Sequence, residues 1–165
     1  MSSTVLNFAN SQTLTVENIY TILHEVKDPE IPVISIQDLG VLQHVGLKDD
    51  VVKVGIIPTY SGCPAMHTIK ADIKTVLQKQ GINEVEVNLL DEPIWTTDMI
   101  TKTGKAAMQA YGIAPPLAAN EKLIHCPQCG SNKTSCISEF GSTACKALYR
   151  CDECLEPFDY FKCHA

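Results

Sequence analysis

Cys126-Pro127-Gln128-Cys129-Gly130 and Cys151-Asp152-Glu153-Cys154 are two CxxC pairs with 21 residues between them. Two intervening residues let a tight backbone knuckle aim both sulfurs at one cation, and Gly130 permits the turn. Two such knuckles on two hairpins complete a tetrahedral four-thiolate site with metal–sulfur distances of about 2.3 Å. Strand-like stretches at 134–140 and 147–150 supply the hairpins, and the sum predicts a zinc ribbon holding a structural Zn2+. The same four thiolates also suit an iron–sulfur cluster, so the spacing leaves both metals open. A segment of this size has little core of its own. Bound metal should provide much of its stability, since structural zinc binding in small peptides is worth about 10–16 kcal/mol.

Cys63 stands apart from the other seven cysteines, which all lie after residue 125. It sits in Thr59-Tyr60-Ser61-Gly62-Cys63-Pro64, and Pro64 suits the first turn of a helix. A sulfur there lies close to the positive end of a helix dipole, which lowers a thiol's pKa and favours thiolate as nucleophile or metal ligand. A small buried residue at a helix start fits the same pattern. Asp28-Pro29-Glu30-Ile31-Pro32 places two carboxylates across a rigid turn, as ligands, as a base, or as solvated acids at a helix end. Asp38-Leu39-Gly40 looks like a turn into a strand, and His67, four residues after Cys63, is placed to share a helix face with it. Trp95 is expected as core cover. A closed four-thiolate site needs none of Cys136, Cys145 and Cys163. They pack within the ribbon, or Cys145 and Cys163 serve as further thiol ligands.

The elements that must position these groups follow from periodicity. Val16, Ile19, Leu23 and Val26 recur at helical spacing from Thr15 to Lys27, and Pro29 and Pro32 stop that helix. Val41–Leu47 and Val51–Ile57 read as a hairpin, with Val52, Val54 and Ile56 on one face. Met66, Ile69, Ile73 and Val76 stripe a helix from Pro64 to about Gln80, capped by Gly81. Val85–Leu90 is a third strand, and Thr97 caps a third helix from Asp98 to about Tyr111. The expected organisation is a leader at 1–13, a small α+β domain at 14–113 with helices covering one mixed sheet, a linker at 114–122 marked by Pro115-Pro116, and a β-rich four-cysteine domain at 123–165.

Composition narrows the function. The 165 residues carry a formal net charge of −6 and a pI of about 5.3. Residues 1–120 hold 8 basic and 13 acidic groups, and residues 121–165 hold 5 and 6. Neither part attracts a phosphate backbone, so nucleic-acid binding is not expected. No apolar run approaches the roughly 18–20 residues of a membrane helix. The N-terminus has no basic segment followed by an apolar core, so the expected location is the cytoplasm, where cysteines serve as metal ligands or reactive thiols more often than as disulfides. Glu-x-x-His pairs on long helices, as a di-iron site needs, are missing, and so is a Gly-rich dinucleotide fingerprint. Oxygenase turnover by this chain, or another enzymatic activity of its own, is therefore not expected.

Asp28 to Pro32, Asp38 to Gly40 and Thr59 to Pro64 together resemble the signature of the MIP18-like family, over about residues 15–112. The tail from Cys126, with FGSTACKALYRC and EPFDYFKC, resembles the ribbon of the D-component family of phenylacetyl-CoA 1,2-epoxidase systems in phenylacetate catabolism. PIWTTDMIT (93–101) and YGIAPP (111–116) share that resemblance. It implies a MIP18-like α/β sandwich followed by a zinc-ribbon-like domain. It implies an accessory role, maturation or iron and iron–sulfur assembly of the ring-epoxidising monooxygenase, with a non-catalytic structural subunit as the alternative. Cys63 matches the family's reactive cysteine, a candidate for transient iron or cluster transfer, and Asp28 and Glu30 match its acidic turn. Cys126, Cys129, Cys151 and Cys154 match the paired thiolates, and Cys145 and Cys163 fall within the tail pattern. The implied partners are the di-iron oxygenase subunits, the reductase with flavin and a [2Fe-2S] cluster, and the iron–sulfur assembly machinery. No nucleic-acid or membrane partner is implied.

Overall fold

A computed structural model describes residues 14–117 and 121–162. The expected leader at 1–13 and the candidate ligand Cys163 lie outside the described residues. The chain forms two compact units, Met1–Trp95 and Thr96–Ala165. Among the described residues no helix is long and apolar enough to cross a membrane.

The first unit opens with α1, Val16–Leu23, whose N-terminus is capped by Thr15 accepting from the Asn18 N–H. Ile19 and Leu23 are buried. The helix stops four residues before the expected Lys27. Pro29 biases the residue before it away from helical geometry, and Lys27 bridges antiparallel to Ser35 while the Asp28 N–H donates to the Ile34 carbonyl. Val26 stays buried without being helical. The hairpin forms as expected from β1, Leu42–Lys48, and β2, Val51–Ile56. Asp49 (φ 51°) and Asp50 (φ 63°) make its two-residue turn, the left-handed geometry whose twist suits a hairpin. β3, Val85–Leu89, pairs parallel to β2, giving a mixed sheet of order β1-β2-β3.

Val52, Val54 and Ile56 are each 1% exposed or less, which is the shared core face the alternation required. Over that core lies α2, Ala65–Lys79, which buries Met66, Ile69, Ile73 and Leu77. α1 packs on α2 and β1, and α2 packs on β3.

In the second unit the expected single helix from Asp98 is divided. A 3-10 turn at Thr97–Met99 ends at Ile100, which is extended (φ −72°, ψ 125°) and buried. Thr101 then caps α3, Lys102–Tyr111, by accepting from the Gly104 N–H. Gly112 ends α3 at φ 95°. β4, Ile113–Ala114, follows at once, so the stretch expected as linker begins within a strand. β5, Thr134–Ser138, β6, Lys146–Cys151, and β7, Pro157–Phe161, complete a four-stranded sheet of order β4-β7-β6-β5. Its small core joins Ala114, Cys126, Cys151 and Phe158, flanked by Ile124, Tyr149 and Tyr160.

Candidate functional site

The two knuckles sit at the ends of the ribbon's strands, and their backbones are alike. In the first, the Gly130 N–H donates to the Cys126 carbonyl and the Cys126 N–H to the Ser131 carbonyl, with Gly130 left-handed at φ 76°. In the second, the Cys151 N–H donates to the Glu156 carbonyl, and the residue after the second cysteine is again left-handed. Here it is Leu155, at φ 65°. The first requirement is visible in sequence as a glycine. The second carries no such mark.

Cys126 and Cys151 are buried, while Cys129 and Cys154 face outward. All four sulfurs lie within 4.8 Å of one another. Cys126 to Cys154 is 3.7 Å and Cys129 to Cys151 is 3.6 Å. Sulfurs about 2.3 Å from a central ion at tetrahedral corners stand about 3.8 Å apart, so this donor set fits one cation. Electrostatics agree. The Cys154 N–H, aided by that of Glu153 and by neighbouring thiols, lowers the Cys151 thiol to about 7. Cys154 receives an N–H from Glu156, but burial and the other three thiols push it up to about 12. Cys129 likewise rises, because the Cys151 thiol and burial outweigh the Ser131 N–H. Cys151 is thus the thiol that loses its proton most readily, while Cys129 and Cys154 hold theirs, and a divalent cation would supply the charge that drives protons off.

Cys63 is 7% exposed and lies two residues before Ala65, the first residue of α2. Pro64 is the flanking cap residue rather than the first helical one. The Ala65 N–H reaches the sulfur, as a helix start should provide, and so does the Tyr60 hydroxyl. Their combined effect loses. Burial raises the thiol's pKa most, the Glu30 and Asp28 carboxylates raise it further, and the net displacement is upward. This corrects the expectation of a lowered pKa: desolvation of a buried thiolate outweighs the helix end. It also shows that the acidic turn and Cys63, more than 30 residues apart in sequence, are brought within electrostatic reach.

The buried Asp28 carboxylate accepts from the N–H groups of Glu30 (2.8 Å) and Ile31 (2.9 Å), so it builds the turn that presents Glu30. Asp38 accepts from the Ser35 hydroxyl at 2.8 Å and meets His24 at 3.1 Å. Trp95 is buried and donates its indole N–H to the Leu39 carbonyl, as core cover. Beside Cys63 opens a groove of about 410 Å³, lined by Pro58, Met66, His67, Lys70 and Leu89 among others. Elsewhere, Cys145 is buried with its sulfur 3.1 Å from the Thr143 hydroxyl, and Cys136 is exposed on β5. Neither joins a group of three or more potential ligands among the described residues.

Comparison with known proteins places both units. The model of the family described as iron–sulfur cluster assembly protein matches residues 16–89, and that of the PaaD zinc beta ribbon domain matches residues 114–162. A solved structure of a domain of unknown function, DUF59, from Bacillus anthracis superimposes with a TM-score of 0.53 at 29% identity, covering 56% of this chain and 90% of that one. An Fe-S protein maturation auxiliary factor of Porphyromonas gingivalis is 36% identical over 90 residues, 53% of this chain and 85% of its own. Fold and site thus define the class: an iron–sulfur-assembly-type α+β domain joined to a four-cysteine ribbon. An Escherichia coli protein, provisionally named as the D component of 1,2-phenylacetyl-CoA epoxidase, is 45% identical over 153 residues, 90% of this chain and 93% of that one. The chain belongs to the PaaD family of that protein.

Proposed function

We propose that this chain is a cytoplasmic accessory factor of a phenylacetyl-CoA 1,2-epoxidase system, acting in iron or iron–sulfur assembly of the complex and not in turnover. The observation that carries this reading is the placement of Cys63. A single thiol at the start of α2 opens on a groove and feels the Asp28 and Glu30 carboxylates, within a domain matched by an iron–sulfur assembly family. The environment that keeps the thiol protonated has the opposite effect once a cation arrives. Carboxylates that oppose a thiolate attract iron, and iron stabilises the thiolate. Cys63 is then the residue that takes and releases the cargo, and Glu30 and Asp28 supply the local negative potential. The ribbon cysteines Cys126, Cys129, Cys151 and Cys154 hold Zn2+ as a structural ion, which when bound ties the two knuckles together and leaves the sheet free to meet a client. The clients are the di-iron oxygenase subunits or the flavin and [2Fe-2S] reductase, with the cargo supplied by the general iron–sulfur assembly machinery.

The test is a Cys63→Ser chain in cells that express the epoxidase. Iron and sulfide in the purified reductase, and iron in the oxygenase subunits, should fall while the amount of each subunit holds. Unchanged metal content, with the variant still co-purifying in stoichiometric amount, would instead make the chain a structural subunit without cluster chemistry.

A further inference from the structure

Lys133 follows the first knuckle of the ribbon and holds the second. The stretch that carries it is fixed to the first: the Cys126 N–H donates to the Ser131 carbonyl at 2.8 Å, and the Lys133 N–H donates to the Ser131 hydroxyl at 3.1 Å. From there Lys133 grips the second knuckle at two points. Its carbonyl accepts from the Asp152 N–H at 2.8 Å, and its ammonium donates to the Glu153 carboxylate at 2.8 Å. Asp152 and Glu153 are the two residues between Cys151 and Cys154. Both grips therefore fall inside the loop that aims the second pair of sulfurs. Charge gives the arrangement a purpose. Four thiolates around a divalent cation leave two negative charges, and carboxylates in the same loop repel them. Each carboxylate meets a cation. Asp152 lies 3.8 Å from the Arg150 guanidinium and accepts from the Ser135 hydroxyl at 3.0 Å. Arg150 belongs to β6, the strand that leads into the second knuckle, so its pair stays on that side. The pair of Lys133 with Glu153 crosses from one knuckle to the other.

We infer that Lys133 is a positioning residue for the ribbon's ion, a latch between the knuckles that must open before the ion leaves. Four thiolates carried on two loops release an ion by parting, and the loops part only when the contacts between them break. Groups that hold metal ligands from outside typically change metal affinity about 10–100-fold. An exposed ion pair alone contributes little, and the Lys133 and Glu153 side chains are 68% and 50% exposed. Loss of the Lys133 side chain also spares its carbonyl, so the effect belongs at the low end of that range or below it. The latch rests on the structural ion proposed above for the ribbon, and its effect on release is a separate claim.

The test is the rate of zinc transfer from the full, metal-loaded chain to an excess of the chromophoric chelator 4-(2-pyridylazo)resorcinol, after metal analysis of each variant. Lys133→Ala should release zinc about three- to tenfold faster, and Lys133→Arg should restore most of the original rate. Lys133→Glu, which sets a like charge against Glu153, should release it fastest. In a Glu153→Gln background the effect of Lys133→Ala should largely disappear, because the partner is already lost. Arg150→Ala removes an equal charge beside the same loop without joining the knuckles, and should stay within about twofold of the original rate. The inference is overturned by a rate indifferent to Lys133→Ala, by the same acceleration in the Glu153→Gln background, or by equal acceleration from Arg150→Ala, which would make charge alone the cause. Zinc present but released at an unchanged rate defeats the latch and leaves the structural ion standing. Iron and sulfide in place of zinc defeat both.

Discussion

Cys151 and Cys63 each receive a backbone N–H, yet their thiols are displaced in opposite directions. Cys151, although buried, takes N–H groups from Cys154 and Glu153, has other thiols ready to share a proton, and falls to about 7. Cys63, also buried, takes one backbone N–H, from Ala65, and faces two carboxylates, and it rises. One donated N–H does not offset desolvation. The number of donors and the charges brought in by distant turns decide the sign. The two sites suit different work in consequence. On the reading proposed above, the ribbon's four clustered thiols keep a structural cation, whereas the Cys63 thiol takes one only in passing.

The widest separation between the regions is expected from removing a ribbon ligand. Cys126→Ser, or a strong chelator, should abolish the ordered structure of residues 121–162, since about 10–16 kcal/mol of metal binding is linked to folding in such segments. Amide dispersion should collapse there and survive in the first unit. Collapse of both units together would break the comparison.

A core truncation in the first unit should show the converse at smaller scale. Ile69 is fully buried, and Ile69→Ala should cost about 2–5 kcal/mol by loss of buried area and the cavity left behind. Denaturant unfolding measures this, and metal bound per chain should not change.

The third effect is kinetic. Because the Cys63 pKa is raised above the ordinary thiol value near 9, the thiolate is scarce at pH 8 and alkylation should accelerate only as pH climbs past 9. Glu30 contributes to the rise, so Glu30→Gln should lower the pKa and quicken alkylation at pH 8. Mass-spectrometric rates at Cys63 in folded protein check both directions. Slower alkylation in Glu30→Gln would refute the assigned cause.

The smallest effect contrasts the two knuckles. Leu155 is exposed and left-handed where the first knuckle has glycine. Leu155→Gly relieves a strain of about 1–2 kcal/mol, partly offset by glycine's entropy, so the ribbon should gain up to about 1 kcal/mol. Thermal melting of the metal-loaded chain tests the sign.

Much of this was legible in the chain itself. The CxxC spacing announced the four-thiol cluster because ligand geometry is encoded locally. Val52, Val54 and Ile56, and the Met66, Ile69 and Ile73 stripe, announced a sheet face and a helix because each repeats with its element's period. What escaped was non-local or too short to repeat. β4 is two residues long and exists only through its pairing with β7. The early end of α1 depends on Lys27 meeting Ser35. The break at Ile100 reflects burial of one side chain ahead of the Thr101 cap. The direction of the Cys63 shift depends on Asp28 and Glu30, which only the folded chain brings near it.

The division of labour between the two thiol sites is tested most directly by the metal and sulfide content of the chain and its variants, purified without oxygen. The account predicts a single zinc ion per chain and no sulfide, unchanged in Cys63→Ser and lost in Cys129→Ser. Iron and sulfide that persist in Cys63→Ser and vanish in Cys129→Ser would contradict it, and would make the ribbon itself the iron–sulfur domain.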